Sequence, residues 1–218
     1  MLNIMEVFEG LHAFIWRDGR ANNCNTYFID GSQKIIIDPG HSRLFNNVDY
    51  EMARISVKVD EIDLVIATHG HPDHFEAAAR FPDSTKFAMG HDEYTLLKQV
   101  LGKYMEIPEP DFFLLDGDVT IGDEKFQIIS TPGHTPGEIC IYWPGKKTLF
   151  SGDVIFRESI GRTDLPGGDG KQLGESIKKL AKLEVEYMLP GHGEIISGVN
   201  AVKKNFEMIE RVWFRRLE

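Results

Sequence analysis

The sequence has little cysteine, and it lacks the signals that direct a chain into a membrane. Of its 218 residues, Cys24 and Cys140 are the two cysteines, and they form neither a CxxC pair nor a disulfide framework. No apolar run approaches the ~18 residues of a membrane span. The N-terminus does not carry a basic region followed by an apolar one. We therefore expect a mature, cytoplasmic protein without disulfides or membrane spans.

Clustered positive charge is scarce as well. The formal net charge is −10, from 34 acidic and 24 basic residues, so most of the surface would repel a polyanion such as DNA or RNA. The short pairs Lys178-Lys179 and Arg215-Arg216 suit solvated helix positions. We expect a small-molecule substrate, with neither a nucleic acid nor a membrane as partner.

Low-complexity linkers and fixed-period repeats are also absent, and the length suits one domain over residues 1–218. Strand-like segments precede helix-like ones in both halves, and the second half is rich in hairpins. Strands are predicted at 25–30, 34–38, 63–68, 86–89 and 187–189 and in a β-rich block at 112–150, and helices at 47–59, 73–80, 91–101, 171–183 and 199–215. The pattern predicts an α+β protein in which two sheets stack with helices outside.

What the sequence does contain is histidine in turns. Five of its eight histidines fall in glycine- or proline-flanked turns, and three of the five belong to the segment His69-Gly70-His71-Pro72-Asp73-His74. His134 follows Pro132-Gly133, His192 follows Pro190-Gly191, and a further candidate, Asp153, follows Gly152. Each turn comes after a strand-like run, so these side chains are expected together at strand ends.

This spacing predicts a metal site. Alternate residues of an extended chain point the same way, so His69 and His71 can reach one ion. Asp73 and His74 begin a helix and can hold a second ion nearby, while the two oxygens of Asp153 can bridge the pair. Imidazole with carboxylate favours zinc. We expect two divalent ions, zinc first, with iron and manganese as alternatives.

Simpler interpretations exist for the single residues. Asp73 with Glu76 fits a capping box, and His134, His192 or Asp153 taken alone suits an ordinary turn. A cap does not explain the three histidines beside Asp73, so the joint pattern favours metal binding. His12, His41 and His91 lack metal-like neighbours and suit surface or core positions.

The order H-x-H-x-D-H followed by His134, Asp153 and His192 resembles the metallo-β-lactamase fold hydrolases. The segment from Ser159 to Asp169, SIGRTDLPGGD, resembles their glyoxalase II-like branch. The resemblance implies an αββα sandwich of two mixed sheets. It also implies one metal held by His69, His71 and His134, a second held by Asp73, His74 and His192, and Asp153 as the bridge.

The expected activity is hydrolysis of a thioester of the S-acylglutathione type by a metal-bridging hydroxide, which Asp73 helps to orient. Members of the fold that reduce oxygen at a di-iron centre carry Glu at the position of His71, so this histidine favours hydrolysis. Two alternatives use the same residues. One is a persulfide dioxygenase with a single iron on His71, His134 and Asp153, and the other is a lactonase. A non-catalytic binding protein would be expected to lack a ligand, and none is missing. Full-length glyoxalase II enzymes have a longer C-terminal helical portion, so no glutathione-binding residue is assigned here.

Overall fold

A computed structural model describes residues 2–217 and shows two stacked β-sheets with helices on their outer faces. The first sheet has seven strands in chain order, antiparallel from β1 to β4 and parallel from β4 to β7. These strands are β1 (Leu2–Phe8), β2 (Leu11–Trp16), β3 (Thr26–Asp30), β4 (Lys34–Ile37), β5 (Leu64–Ile66), β6 (Lys86–Gly90) and β7 (Phe112–Leu114).

The second sheet has six strands in the order β15-β14-β11-β10-β9-β8, with β11 and β14 parallel and its other pairs antiparallel. A separate two-stranded hairpin, β12 with β13, follows β11. The strands are β8 (Gly117–Ile121), β9 (Glu124–Ser130), β10 (Ile139–Trp143), β11 (Thr148–Gly152), β12 (Ile155–Phe156), β13 (Ser159–Ile160), β14 (Tyr187–Pro190) and β15 (Ile196–Ser197).

Within residues 2–217, five α-helices cover the two sheets. Three of them connect the parallel strands of the first sheet, and two cover the second. They are α1 (Phe45–Arg54), α2 (Pro72–Phe75), α3 (His91–Val100), α4 (Gly170–Leu180) and α5 (Val199–Trp213). Short 3₁₀ turns occupy Ser42–Leu44, Val59–Glu61, Glu76–Arg80, Pro144–Lys146 and Phe214–Arg216. None of the helices within residues 2–217 is long and apolar enough to cross a membrane.

Alternation along the strands produces three apolar layers. In β4, Ile35 and Ile37 face the second sheet, whereas Ile36 faces the helices α1 to α3. The outer face of the second sheet packs on α4 and α5 through residues such as Leu173 and Phe206. Both sheets are mixed and both outer faces carry helices, which confirms the predicted α+β, αββα sandwich.

Several predicted boundaries differ from those observed. The helix predicted at 47–59 begins earlier and ends at Arg54, because Ser56 turns the chain with a left-handed φ of 62°. The helix predicted at 73–80 is one α-helical turn, Pro72–Phe75, that continues as a 3₁₀ helix. Strands β1 and β2 were not predicted individually, although β structure was expected in this third of the chain.

Candidate metal centre

The predicted segment His69–His74 spans the turn after β5 and the start of α2, which begins at Pro72. Nε2 of His69 is 3.0 Å from Nδ1 of His71, and that Nδ1 is 2.9 Å from Nε2 of His134. Three imidazole nitrogens from two turns therefore converge on one small volume. Asp153 joins them, and one ligand atom from each of the four residues lies within 4.8 Å of the others.

A second group forms beside the first. Nε2 of His192 lies 3.3 Å from Oδ2 of Asp73 and 3.3 Å from Nε2 of His74. Asp73 and His74 come from α2, whereas His192 comes from the turn after β14. The structure thus brings all seven predicted residues together, in two groups at one edge of the sandwich.

Asp153 stands between the groups. Its Oδ1 is 3.4 Å from Nε2 of His74, and its Oδ2 is 3.4 Å from Nε2 of His192 and 3.6 Å from Nε2 of His134. The carboxylate is buried, and Oδ1 has no hydrogen-bond partner. A buried, unpaired carboxylate oxygen among imidazole nitrogens is costly unless a cation satisfies it. The donor set and its orphaned oxygen therefore fit divalent cations.

In three of the imidazoles, Nδ1 already lies within hydrogen-bond distance of an oxygen atom. Nδ1 of His74 lies 2.9 Å from Oδ2 of Asp38, and Nδ1 of His134 lies 2.7 Å from the carbonyl oxygen of Arg162. Nδ1 of His69 lies 3.1 Å from Oγ1 of Thr68. Donation from Nδ1 to these oxygens leaves Nε2 with its lone pair, which is the form that binds a metal.

Asp38 was not predicted as a site residue. It directly follows β4 in a left-handed conformation with φ of 54°, and its carboxylate accepts hydrogen bonds from the amide and the hydroxyl of Thr68, both at 2.8 Å. It therefore joins the first sheet to the segment that carries His69 and His74. The signal in the sequence was the Asp38-Pro39-Gly40 turn directly after an apolar strand.

Two buried glutamates were also missed. Glu93, at the start of α3, accepts hydrogen bonds from the amides of Gly70 at 2.8 Å and Gly137 at 3.0 Å. It thereby links the turn of His69 and His71 to the turn of His134. Glu138 lies deeper and accepts from the amide of Asp153 at 2.7 Å. Burial raises the pKa of both carboxyl groups.

Asparagines of the loop after β2 complete the surroundings of the second group. Nδ2 of Asn22 donates to Oδ2 of Asp73 at 2.6 Å. Nδ2 of Asn25 donates to the carbonyl oxygens of Pro190 at 3.0 Å and Gly193 at 2.9 Å, on either side of His192. These contacts depend on residues far apart in the chain, so no local motif marked them.

The capping-box interpretation of Asp73 and Glu76 is wrong. His71 is the N-cap residue of α2, and it makes no capping hydrogen bond through its side chain. Oε2 of Glu76 instead lies 2.8 Å from Nδ1 of His41 and 3.3 Å from the amide of Ser42. His41 thus has a structural partner outside the two groups.

The electrostatics differ between the two groups. Burial lowers the pKa of His71 to about 4, helped by the neighbouring imidazole of His134. Burial likewise lowers the pKa values of His69 and His134. Burial also disfavours the charged form of His192, but the carboxylates of Asp153 and Asp73 outweigh it and raise its pKa to about 10.

The pKa values of the two carboxyl groups, Asp153 and Asp73, are lowered by the neighbouring histidines. Burial alone would raise the pKa of Asp153, yet the charges of His74 and His192 lower it to about 2. The pKa of Asp73 is also held below its usual range, since the contact with His192 outweighs burial. Both carboxylates are therefore ionised at neutral pH and available to cations.

Comparison with known proteins agrees with this geometry. Residues 19–192 match the metallo-β-lactamase superfamily, and the chain belongs to that superfamily. A probable metallo-hydrolase of Methanocaldococcus jannaschii is 34% identical over 193 residues, which cover 82% of this chain and 91% of the relative. The hydroxyacylglutathione hydrolase GloC of Haemophilus influenzae is 33% identical over 189 residues, which cover 78% and 85%.

Among solved structures, TTHA1623 in a di-iron-bound form is similar to this chain with a TM-score of 0.67 and 28% identity, covering 84% of this chain and 93% of that one. Family and cluster together support a metal-dependent hydrolase with divalent metals bound by histidine and aspartate.

Proposed function

We propose that this protein is a binuclear metal-dependent thioesterase that cleaves thioesters of the S-acylglutathione type. The proposal rests on the position of Asp153 between the two ligand groups. Its Oδ2 lies 3.6 Å from Nε2 of His134 in one group and 3.4 Å from Nε2 of His192 in the other, and its Oδ1 lies 3.4 Å from Nε2 of His74. Such a carboxylate suits two cations held side by side. The 33% identity to a hydroxyacylglutathione hydrolase supports the choice of a thioester.

In this proposal His69, His71 and His134 would hold one cation, Asp73, His74 and His192 would hold the other, and Asp153 would serve both groups. The mixture of imidazole and carboxylate suits zinc, with iron and manganese as alternatives. When bound, the cations would lower the pKa of a coordinated water to about 7 and would polarise the acyl carbonyl of the substrate.

Asp73 is the proposed catalytic residue of the chain. Its Oδ2 accepts a hydrogen bond from Asn22, which fixes the carboxylate. A fixed carboxylate with a second oxygen can accept a hydrogen bond from the attacking water and orient it. The low pKa of Asp73 keeps this carboxylate ionised, so the proton of the water passes to solvent. The water oxygen bonds to the acyl carbon, the C–S bond breaks and its electron pair leaves with the sulfur. A thiolate is a stable leaving group, so no strong general acid is needed.

Metal analysis and an activity screen test this function. Protein purified without added metal should contain two zinc ions per chain, and it should hydrolyse S-acylglutathiones without consuming oxygen. One iron per chain with oxygen uptake on glutathione persulfide would instead identify a dioxygenase that uses His71, His134 and Asp153. Cleavage of lactones with no cleavage of thioesters would identify a lactonase.

A substitution tests the bridging role directly. Asp153→Ala should lose both metals and nearly all hydrolysis, because each ligand group loses a carboxylate oxygen. The control is Asp164→Ala, which removes an exposed carboxylate that pairs with Arg162 on the loop beyond β13. If Asp153→Ala kept both metals and near-normal activity, the bridging assignment would be wrong.

A further inference from the structure

Two cavities border the ligand groups, and they differ in chemical character. The first, here called the α3 cavity, has a volume of about 120 Å³ and lies between α3, the His71–Pro72 turn and Pro166. The second, called the Asn22 cleft, has a volume of about 400 Å³ and borders His192. One cavity thus adjoins each group of candidate ligands.

The α3 cavity is lined mainly by apolar side chains. Leu97 is buried at its floor, whereas Val100 remains 40% exposed although it is apolar. Further apolar atoms come from Leu96, Leu101, Pro72 and Pro166. Apolar side chains left facing a cavity beside polar ligands mark a place where an apolar group can be buried.

The one carboxylate that lines the α3 cavity is already occupied. Both oxygens of Glu93 accept hydrogen bonds from backbone amides, those of Gly70 and Gly137. The cavity therefore has no free carboxylate with which to hold a cation or a polar chain. Its remaining polar neighbours are His71, a candidate ligand of the first cation, and Thr135, whose buried Oγ1 has no hydrogen-bond partner.

The Asn22 cleft is polar in contrast. Arg17, Asp18, Asn22 and Asn23 line it together with His192. Nη1 of Arg17 pairs with Glu194 at 2.7 Å at this side of the molecule. A charged or hydrogen-bonding part of a substrate fits this cleft better than it fits the α3 cavity.

We propose that the α3 cavity binds the acyl chain of the substrate, and that this chain is short and aliphatic. This inference rests on the proposed thioesterase function. A dry apolar cavity of about 150 Å³ can hold a benzene molecule, so 120 Å³ suits a chain of roughly four or five carbons. The thiol part then extends toward the Asn22 cleft, with the scissile carbonyl beside Asp153.

The test uses zinc-loaded enzyme and one thiol, glutathione, acylated with acetyl, butanoyl, pentanoyl or octanoyl groups. For the wild type, kcat/KM should rise about 3- to 5-fold for each added methylene up to about five carbons, and it should fall for octanoyl.

Variants of α3 assign the effect to the cavity. Leu96→Phe should fill the space and lower the ratio of pentanoyl to acetyl kcat/KM about tenfold. Val100→Phe, at a more exposed position, should do the same if the first variant folds poorly. Gln99→Phe places the same ring at an exposed position of α3 that does not line the cavity, so it should leave the ratio unchanged.

Two negative results have different meanings. If thioesters are hydrolysed but chain length has no effect, or if Leu96→Phe and Val100→Phe match Gln99→Phe, the cavity assignment is wrong and the thioesterase function stands. If the zinc-loaded enzyme cleaves no thioester at all, the proposed function is wrong and the acyl assignment falls with it.

Discussion

Oδ2 of Asp38 faces Nδ1 of His74 at 2.9 Å. Oδ1 and Oδ2 of Asp38 also accept hydrogen bonds from Thr68. These bonds hold the carboxylate in its orientation toward the imidazole. The contact places the proton of His74 on Nδ1 and directs the lone pair of Nε2 toward Asp153. An aspartate outside the ligand set thus decides which nitrogen of His74 can bind a cation.

Asp38→Asn should weaken binding of the second cation by about 10–100-fold, the range seen when a hydrogen-bond partner of a metal ligand is changed. Asparagine tolerates a left-handed φ, so the backbone can stay in place. Its amide group would donate toward Nδ1 and favour the wrong tautomer of His74. Metal titration of the metal-free variant measures the loss, with Asp111→Asn, an exposed aspartate paired with Lys86, as the control. Unchanged affinity for both cations would contradict this role.

Glu93→Gln should weaken binding of the first cation and leave binding of the second unchanged. A glutamine offers one acceptor where the amides of Gly70 and Gly137 need two, so one buried amide loses its partner at a cost of about 1–3 kcal/mol. Both turns that Glu93 joins carry ligands of the first group. Cobalt substitution followed by absorption spectroscopy should show the loss of one of the two sites.

The control for Glu93→Gln is Glu51→Gln, which changes a buried glutamate on α1 that pairs with Arg54. It should lower stability without changing the cobalt spectrum. If Glu93→Gln lost both cobalt ions equally, Glu93 would support the fold in general rather than the first group in particular.

The candidate ligands could be predicted from the sequence because their signal is local. His69, His71, Asp73 and His74 lie within six residues, and the glycine turns at His134 and His192 are conspicuous. Asp38 acts on Thr68, 30 residues further along, only because β4 and β5 pair in parallel. Strand order of this kind is not visible in a local pattern, and the roles of Glu93 and Asn25 were missed for the same reason.

The fold class was predictable for a related reason. Strand and helix segments follow from apolar periodicity, and their alternation limits the architecture to few solutions. Boundaries depend on tertiary contacts instead. The helix from Pro72 changes to 3₁₀ geometry at Glu76, where Glu76 turns its carboxylate toward His41. A propensity argument for residues 73–80 does not contain that contact.

Binding of the two cations should release different numbers of protons from the protein. His71 has a pKa of about 4 in the metal-free protein, so it is neutral at pH 7 and binds without losing a proton. His192 has a pKa raised to about 10 and must lose a proton before its Nε2 can bind. Affinity for the second cation should therefore fall as the pH decreases below about 10. Affinity for the first should fall only below the usual pKa of histidine, because the pKa values of its three histidines are all lowered.

Calorimetric titration of metal-free protein with zinc at pH 7, in two buffers of different ionisation enthalpy, measures this difference. The first equivalent of zinc should release almost no protons, and the second should release about one or two. The second proton comes from His74, whose pKa is also raised because the carboxylates of Asp153 and Asp38 outweigh its burial. Equal proton release in both steps would contradict the assignment of the ligands to two groups.

Gly191→Ala should damage the site without unfolding the protein. A Cβ atom at this position would lie 2.2 Å from Oδ1 of Asp153 and 2.7 Å from Cε1 of His74, so one of these side chains must move. Metal content and hydrolysis should both fall by at least tenfold, while the circular dichroism spectrum stays that of the wild type. Gly19→Ala, whose Cβ would meet nothing within 4 Å, is the matched control. Full metal occupancy in Gly191→Ala would show that neither Asp153 nor His74 needs its present position to bind.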